Sequence, residues 1–261
     1  MLTLYGASSP NVRKVSIMLE ELGLEHEFLH LNPSGGDLWA PEFVALNPLK
    51  KVPVLVDTDG PGGEPVTIFE SAAILIYLAE KHGRFLAPSG AARYVALEWL
   101  MVQMASIGPM FGQFTHFRRF APGEQEYALR RYETQAVILF ETLDGRLSEA
   151  PYLGGADYSI ADMATYPWIA NRHNVWGGSI DSFTHVKRWF DQLTERPAIQ
   201  RMLAFYKGVE ARSKEKVLET TKDDVDRFMG RGAYAMRWPG ADSYTPRADN
   251  LYDELEKRRR G

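Results

Sequence analysis

The chain is 261 residues long, carries a net charge of −4, and is 45% hydrophobic and 25% charged. That length suits one large or two modest domains, and that charge points to neither nucleic acid nor an anionic membrane surface as a partner. There is no cysteine, so disulfides, cysteine–zinc sites and a protein thiol nucleophile are excluded. Any thiol chemistry must draw its sulfur from a ligand. The first residues run straight into a strand without the basic start and apolar core of a signal peptide, and no run approaches a membrane span. A cytoplasmic protein without a membrane partner is the expectation.

In chain order, Leu2-Thr3-Leu4-Tyr5 reads as a short strand and Gly6 to Asn11 as a turn-rich loop. A helix is predicted from Asn11 to Leu22, closed by Gly23. Glu25 to Leu31 alternates as a second strand, parallel to the first because a helix separates them. A short helical segment follows Ala40-Pro41, then a strand over Val54–Val56, a Gly/Pro-rich connection, a hairpin strand Val66–Phe69 and a helix from Ser71 to about Lys81. The order β-α-β-α-β-β-α over residues 1–84 is that of a thioredoxin-like domain. Residues 85–90 read as a linker.

From Ala91 to about Val209 the pattern is all-helical. Helices are expected over Ala91–Met104, from Pro122-Gly123 to Leu147, from Ser159, over Phe183–Glu195 and over Ala198–Val209. Ser159-Ile160-Ala161-Asp162 has the form of a capping box. Residues 210–261 form a tail of mixed charge, either a loosely ordered appendage or a cover for the core in which Tyr234, Trp238 and Tyr244 take part. The fold class is therefore an α/β thioredoxin-like N-terminal domain plus an all-α C-terminal domain and an extension.

Two stretches carry chemistry. Pro53 breaks a short apolar run near its start, and proline lacks the N–H of a paired central strand. Val52-Pro53 therefore sits at a strand entrance, with an X–Pro bond open to cis. Such a bend turns the backbone of Val52 outward, free to pair with an extended peptide. Glu70-Ser71 puts an acid and a hydroxyl at a helix N-terminus, where free N–H groups capture carboxylates. Alone, the first is a strand start and the second a cap. In this order and spacing they describe a small-peptide binding surface.

These residues, with Pro151-Tyr152-Leu153-Gly154-Gly155 and Tyr158-Ser159-Ile160-Ala161-Asp162, resemble a cytosolic glutathione transferase over residues 1 to 207. Ser9-Pro10-Asn11, Asn47-Pro48, Lys51-Val52-Pro53, Gly108 to Gln113 and Tyr127 to Tyr132 resemble the bacterial Nu class, the branch that includes glutathione-dependent disulfide-bond oxidoreductases. Ser9 stands where that class usually has threonine, and Leu38 where it has a ligand-touching glutamine.

The resemblance implies glutathione as cosubstrate, no metal, and a homodimer. It implies that Val52, beside Pro53, pairs with the cysteinyl backbone and that Glu70 takes the γ-glutamyl ammonium. Ser71 would hold the γ-glutamyl carboxylate, and Lys51 would lie near the glycyl carboxylate. Ser9 and Asn11 would donate to the thiolate, which a free thiol of pKa ~8.5 otherwise forms only sparingly at neutral pH. Asn11 could equally be a helix cap, as could Ser9. Gln103 would line the cleft, and Arg131 would reach the ligand across the dimer or else lie on a solvated face. Phe111, Phe114 and Trp168 read mostly as core, but Phe111 and Phe114 sit around glycines in an irregular stretch, so that one or both would line an apolar cosubstrate pocket with His116, although His116 is also read as structural. The expected activity is disulfide or peroxide reduction, or conjugation to an electrophile. The alternative is a non-catalytic glutathione-binding regulatory module.

Overall fold

The computed structural model describes residues 1–121, 123–171, 178–218 and 220–236. The strands are β1 (Leu2–Gly6), β2 (His26–His30), β3 (Val54–Asp57) and β4 (Val66–Phe69), and they form one sheet in the order β2-β1-β3-β4. β1 pairs parallel with β2 and antiparallel with β3, which pairs antiparallel with β4. The expected βαβ unit and terminal hairpin are both present. The sheet packs against α1 (Pro10–Leu22) and α3 (Ser71–His82), and α2 (Pro41–Leu46) precedes β3.

Local chemistry sets these boundaries. Pro10 opens α1 at a position whose N–H has no helical partner, and Gly23 closes it at φ 67° in the left-handed conformation that glycine adopts without penalty. Gly6 is fixed by close packing: a Cβ there would lie 2.5 Å from Val12 Cγ1 and 2.8 Å from Phe28 Cε2. Leu4, Val15, Met18, Leu19, Leu55 and Ile74 are fully buried between sheet and helices, each worth about 1.5–3 kcal/mol of apolar burial.

The helical part comprises α4 (Ala91–Val102), α5 (Gly108–Arg119), α6 (Glu126–Glu149), α7 (Ile160–Ala170), α8 (Thr184–Thr194) and α9 (Pro197–Leu218). α7 is its centre. Ten consecutive residues from Ile160 to Ile169 are buried, so this helix is enclosed on every face and packs against α1, α3 and α4. The capping box is present: Asp162 accepts from the Ser159 N–H and Ser159 Oγ accepts from the Ala161 N–H. Arg196 fixes the two parts together through Glu21, with nitrogen–oxygen distances of 2.6 and 3.0 Å.

Several boundaries differ from expectation. α4 does not stop at an irregular stretch; it passes through one wide π-helical turn, Gln103–Ile107, into α5. Pro109 has no N–H to offer the preceding turn, and the Gly108 N–H reaches five residues back to Gln103 O. α6 starts at Glu126, and Pro122, the expected start, lies outside the described residues. The division at Val209 also falls inside an element, since α9 continues to Leu218. Glu210 pairs with Arg13, and Ser213 Oγ lies 3.1 Å from His30 Nε2.

Thr220 onward is a separate small unit. It holds α10 (Lys222–Met229), capped by Thr221 and Asp224, and a 3₁₀ turn Gly232–Tyr234. The Tyr234 hydroxyl donates to Asp223 at 2.7 Å within this unit. Trp238 and Tyr244 lie outside the described residues. Among the described residues no helix is long and apolar enough to cross a membrane.

Candidate functional site

The loop before β3 is organised by Asn47, which is buried. Its amide donates to Lys51 O at 2.7 Å and its Oδ1 accepts from the Leu49 N–H at 3.0 Å. That brace presents Lys51, Val52 and Pro53 in sequence, with a cis bond between Val52 and Pro53. Neither the N–H nor the C=O of Val52 is hydrogen-bonded to another backbone group among the described residues. Free backbone groups in an extended segment leading into a strand can dock an extended peptide through main-chain hydrogen bonds.

Glu70 immediately precedes α3 with φ 70° and ψ 115°, a left-handed conformation for a residue with a Cβ. Non-glycine residues hold such geometry at a cost of about 1–3 kcal/mol, and such costs concentrate at ligand clamps. Its carboxylate is exposed and no cap bond engages it. Ser71, the first residue of α3, is buried. An anion trap at a helix N-terminus and a carboxylate thus sit on successive residues.

Asn11 lies in the first turn of α1. Its Oδ1 accepts the indole N–H of Trp168 at 3.1 Å, which leaves the amide nitrogen as the free donor end of the side chain. Lys14, one turn further on, is 1% exposed. Its ammonium donates to Gln103 Oε1 at 2.5 Å, Ser71 Oγ at 3.2 Å and Met104 Sδ at 3.3 Å. Burial pulls its pKa down to about 7, against the opposing pull of the Glu70 carboxylate.

These groups line one cavity of about 350 Å³, shared by Asn11, Lys14, Lys51, Val52, Glu70 and Ser71 on one side and Gln103, Met104, Pro109 and Trp168 on the other. Of the residues expected at the site, Asn11, Lys51, Val52, Pro53, Glu70, Ser71 and Gln103 meet here. Ser9 occupies the N-cap position of α1, yet its hydroxyl makes no cap bond and it does not line the cavity. Arg131 is on the exposed side of α6, away from the cavity of its own chain.

Of the two readings of Phe111 and Phe114, the structure corrects the pocket and keeps the core. Phe111 and Phe114 lie on the regular helix α5 and are 0% and 6% exposed. Phe111 stacks on Phe140 with centroids 5.5 Å apart, so both belong to the helical core rather than to a cleft. His116 sits in the last turn of α5, edge-on to Phe117, and also does not line the cavity. Leu38 is buried against Phe43 and Val54, with no polar group to reach a ligand. Met104, Pro109, Gln113 and Trp168 take the place assigned to the phenylalanines. Trp168 reads from sequence as core, and its polar edge is the only signal of another role.

The comparisons agree with this geometry. The family model for the glutathione S-transferase N-terminal domain matches residues 8–81, and that for the glutathione S-transferase C-terminal domain matches residues 98–197. The disulfide-bond oxidoreductase YfcG of Escherichia coli is 39% identical over 207 residues, covering 78% of this chain and 94% of that protein. A glutathione transferase family member from Pseudomonas fluorescens, solved with two glutathione bound, is 44% identical at a TM-score of 0.74, covering 77% of this chain and 92% of that one. A glutathione transferase from Pseudomonas putida, solved with one glutathione disulfide per subunit, is 42% identical at a TM-score of 0.73, covering 77% and 90%. With both family models matched on either side of the cavity and relatives covered nearly end to end, this chain belongs to the glutathione S-transferase family.

Proposed function

We propose that the protein binds glutathione in this cavity, activates its thiol and uses it to reduce small disulfides. The observation that carries the reading is the meeting of free backbone groups at Val52, an anion trap at Ser71 and an uncapped carboxylate at Glu70 in one cavity. Glutathione is an extended peptide with one ammonium and two carboxylates. Its cysteinyl backbone pairs with Val52, its γ-glutamyl carboxylate takes the Ser71 hydroxyl and N–H, its ammonium takes Glu70, and Lys51 faces the glycyl carboxylate.

The sulfur then falls towards the start of α1. There the Asn11 amide, its oxygen held by Trp168, donates to the thiolate, and the positive end of the helix dipole lowers the thiol pKa further. Ser9 belongs to this set by resemblance to the Nu class, and its uncapped hydroxyl is compatible with that role.

The chemistry balances without a protein thiol. The glutathione thiolate attacks one sulfur of the substrate disulfide, forming a mixed disulfide and expelling a thiolate that takes up a proton. A second glutathione thiolate attacks the glutathionyl sulfur, giving glutathione disulfide and the second reduced thiol. The chain has no cysteine, so both electrons come from the two glutathiones. The relatives solved with two glutathiones and with glutathione disulfide support this order of events. We place the enzyme in the cytoplasm as a homodimer. Tyr94 and Met101, exposed apolar side chains of α4, support a covered face there, and Arg131 would act only if a second copy carried it to the cavity.

Steady-state turnover tests the reading. With glutathione, reduction of hydroxyethyl disulfide should far exceed conjugation of a chloronitrobenzene. The reverse ranking would make conjugation the activity, and tight glutathione binding without turnover of either would favour a regulatory module.

A further inference from the structure

Lys14 is the most deeply buried charge beside the cavity, and the sequence resemblance gives it no role. A lysine ammonium has three donors and no acceptor, and here all three are spent on protein: Gln103 Oε1, Ser71 Oγ and Met104 Sδ. The partners are left with the opposite polarity. Gln103 is fully buried, and its Nε2 has no hydrogen-bond partner. Among the described residues the Ser71 hydroxyl has as its acceptor only the thioether of Met104, at 3.6 Å, and a thioether is a weak acceptor. The Gln103 nitrogen is itself shut off from solvent, so the part Gln103 plays at the cavity is to hold the ammonium through Oε1.

The π-helical turn places this side chain. Gln103 begins that turn and its amide packs closely on Gly108, where a Cβ would lie 3.2 Å from Gln103 Nε2. Both residues line the cavity.

We propose that Lys14 is a positioning residue for the ligand carboxylate: held in place by Gln103 Oε1, it occupies an acceptor position of Ser71 Oγ and so leaves that hydroxyl to donate into the cavity, and its charge sits behind the hydroxyl as the counter-ion. The inference rests on the reading of Ser71 as the γ-glutamyl carboxylate site. It adds to that site a cation that touches no ligand atom, and a side chain from the helical part, Gln103, that holds the cation in place.

Charge makes this arrangement readable. Glu70 is the titratable group acting on Lys14, and its other neighbours Ser71, Gln103 and Met104 are neutral. With a pKa of about 7 the ammonium is partly neutral at physiological pH. A carboxylate arriving beside it favours the protonated form, so ligand binding takes up a proton.

The probe is S-methylglutathione, whose sulfur carries no proton, titrated calorimetrically in buffers of different ionisation enthalpy. The wild-type protein should take up about half a proton per ligand near pH 7.5. Lys14→Met keeps the length of the side chain and removes both charge and donors. It should bind at least tenfold more weakly and lose the proton uptake. Replacing a buried charge by an apolar chain of similar size is commonly tolerated, and the uptake measurement on wild type stands without the variant. A second probe, with 4-aminobutyrate in place of the γ-glutamyl residue, lacks the carboxylate in question. Its affinity should be nearly the same for wild type and Lys14→Met. Absence of proton uptake in wild type, equal affinity of the two proteins for S-methylglutathione, or an equal loss on both probes overturns the proposal. Wild-type protein that binds the two probes alike instead overturns the placement of the carboxylate at Ser71.

Discussion

Asp162 and Lys14 are both buried charges within the same compact unit, and their surroundings close in different ways. Asp162 is fully buried, and its two oxygens accept from the Leu153 N–H, the Ser159 N–H and hydroxyl, and the Trp189 indole at 2.8–3.0 Å. All four of these donors end on Asp162. Lys14 is as deeply buried, but its partners Ser71 and Gln103 keep donor ends with a weak acceptor or none. Burial alone therefore does not separate a structural charge from a functional one. What separates these two is whether the polar groups around the charge are satisfied within the protein.

The sharpest way to break this comparison is to open the closed cluster. Asp162→Ala strands two backbone N–H groups and an indole N–H in the core. It should destabilise the fold by about 3–5 kcal/mol, measured by urea unfolding. A loss below about 1 kcal/mol would mean that the cluster does not hold α7 in place. The same substitution in the protein that remains folded should leave glutathione affinity nearly unchanged.

The opposite outcome is expected at the cleft. Glu70 is exposed and uncapped, so Glu70→Ala should change the melting temperature little. It removes the counter-charge of the ligand ammonium and should weaken glutathione binding about 100-fold, roughly 2.7 kcal/mol. Unchanged affinity by calorimetry would remove Glu70 from the site.

The same contrast explains what the sequence made legible. Val52-Pro53 and Glu70-Ser71 announce themselves locally, one as a proline in a short apolar run, the other as an acid and hydroxyl at a helix start. The strands and α1 follow from periodicity and from Pro10 and Gly23. Lys14 gives no such signal, since lysine is almost never fully buried and its partners lie 57 and 89 residues away. Phe111 and Phe114 read both as core and as pocket for a local reason: Gly108, Pro109 and Gly112 look like breakers, yet the helix runs through them because one π turn absorbs Pro109 and a Cβ at Gly112 would come no nearer than 3.8 Å to Trp168. The continuation of α9 past Val209 has little apolar stripe to reveal it and shows only in contacts such as Glu210 with Arg13.

Asn11 tests a smaller increment within the open cluster. Asn11→Ala should lower turnover about tenfold, roughly the 1.4 kcal/mol of one hydrogen bond to a thiolate, with glutathione affinity within about twofold. Equal loss of both would make Asn11 a binding residue only.

Trp168 is the finest distinction, because it belongs to both kinds of environment. Its ring is buried in the core at 9% exposure, while its N–H holds the Asn11 oxygen across 157 residues of chain. Trp168→Phe retains most of the apolar contact and deletes only that donor. A packing role predicts a small loss of stability and unchanged chemistry. A positioning role predicts that the Asn11 amide is no longer fixed with its nitrogen towards the sulfur, so the bound thiol is less acidic. Turnover at neutral pH should then fall about threefold to fivefold, less than in Asn11→Ala, because the amide still samples the productive orientation. The loss should shrink as pH rises and the thiol ionises without help, which a pH profile of kcat/KM displays as a rightward shift of its acidic limb. In the double variant Asn11→Ala, Trp168→Phe the second substitution should add almost nothing. A full additional loss would mean that Trp168 acts on the ligand itself rather than through Asn11.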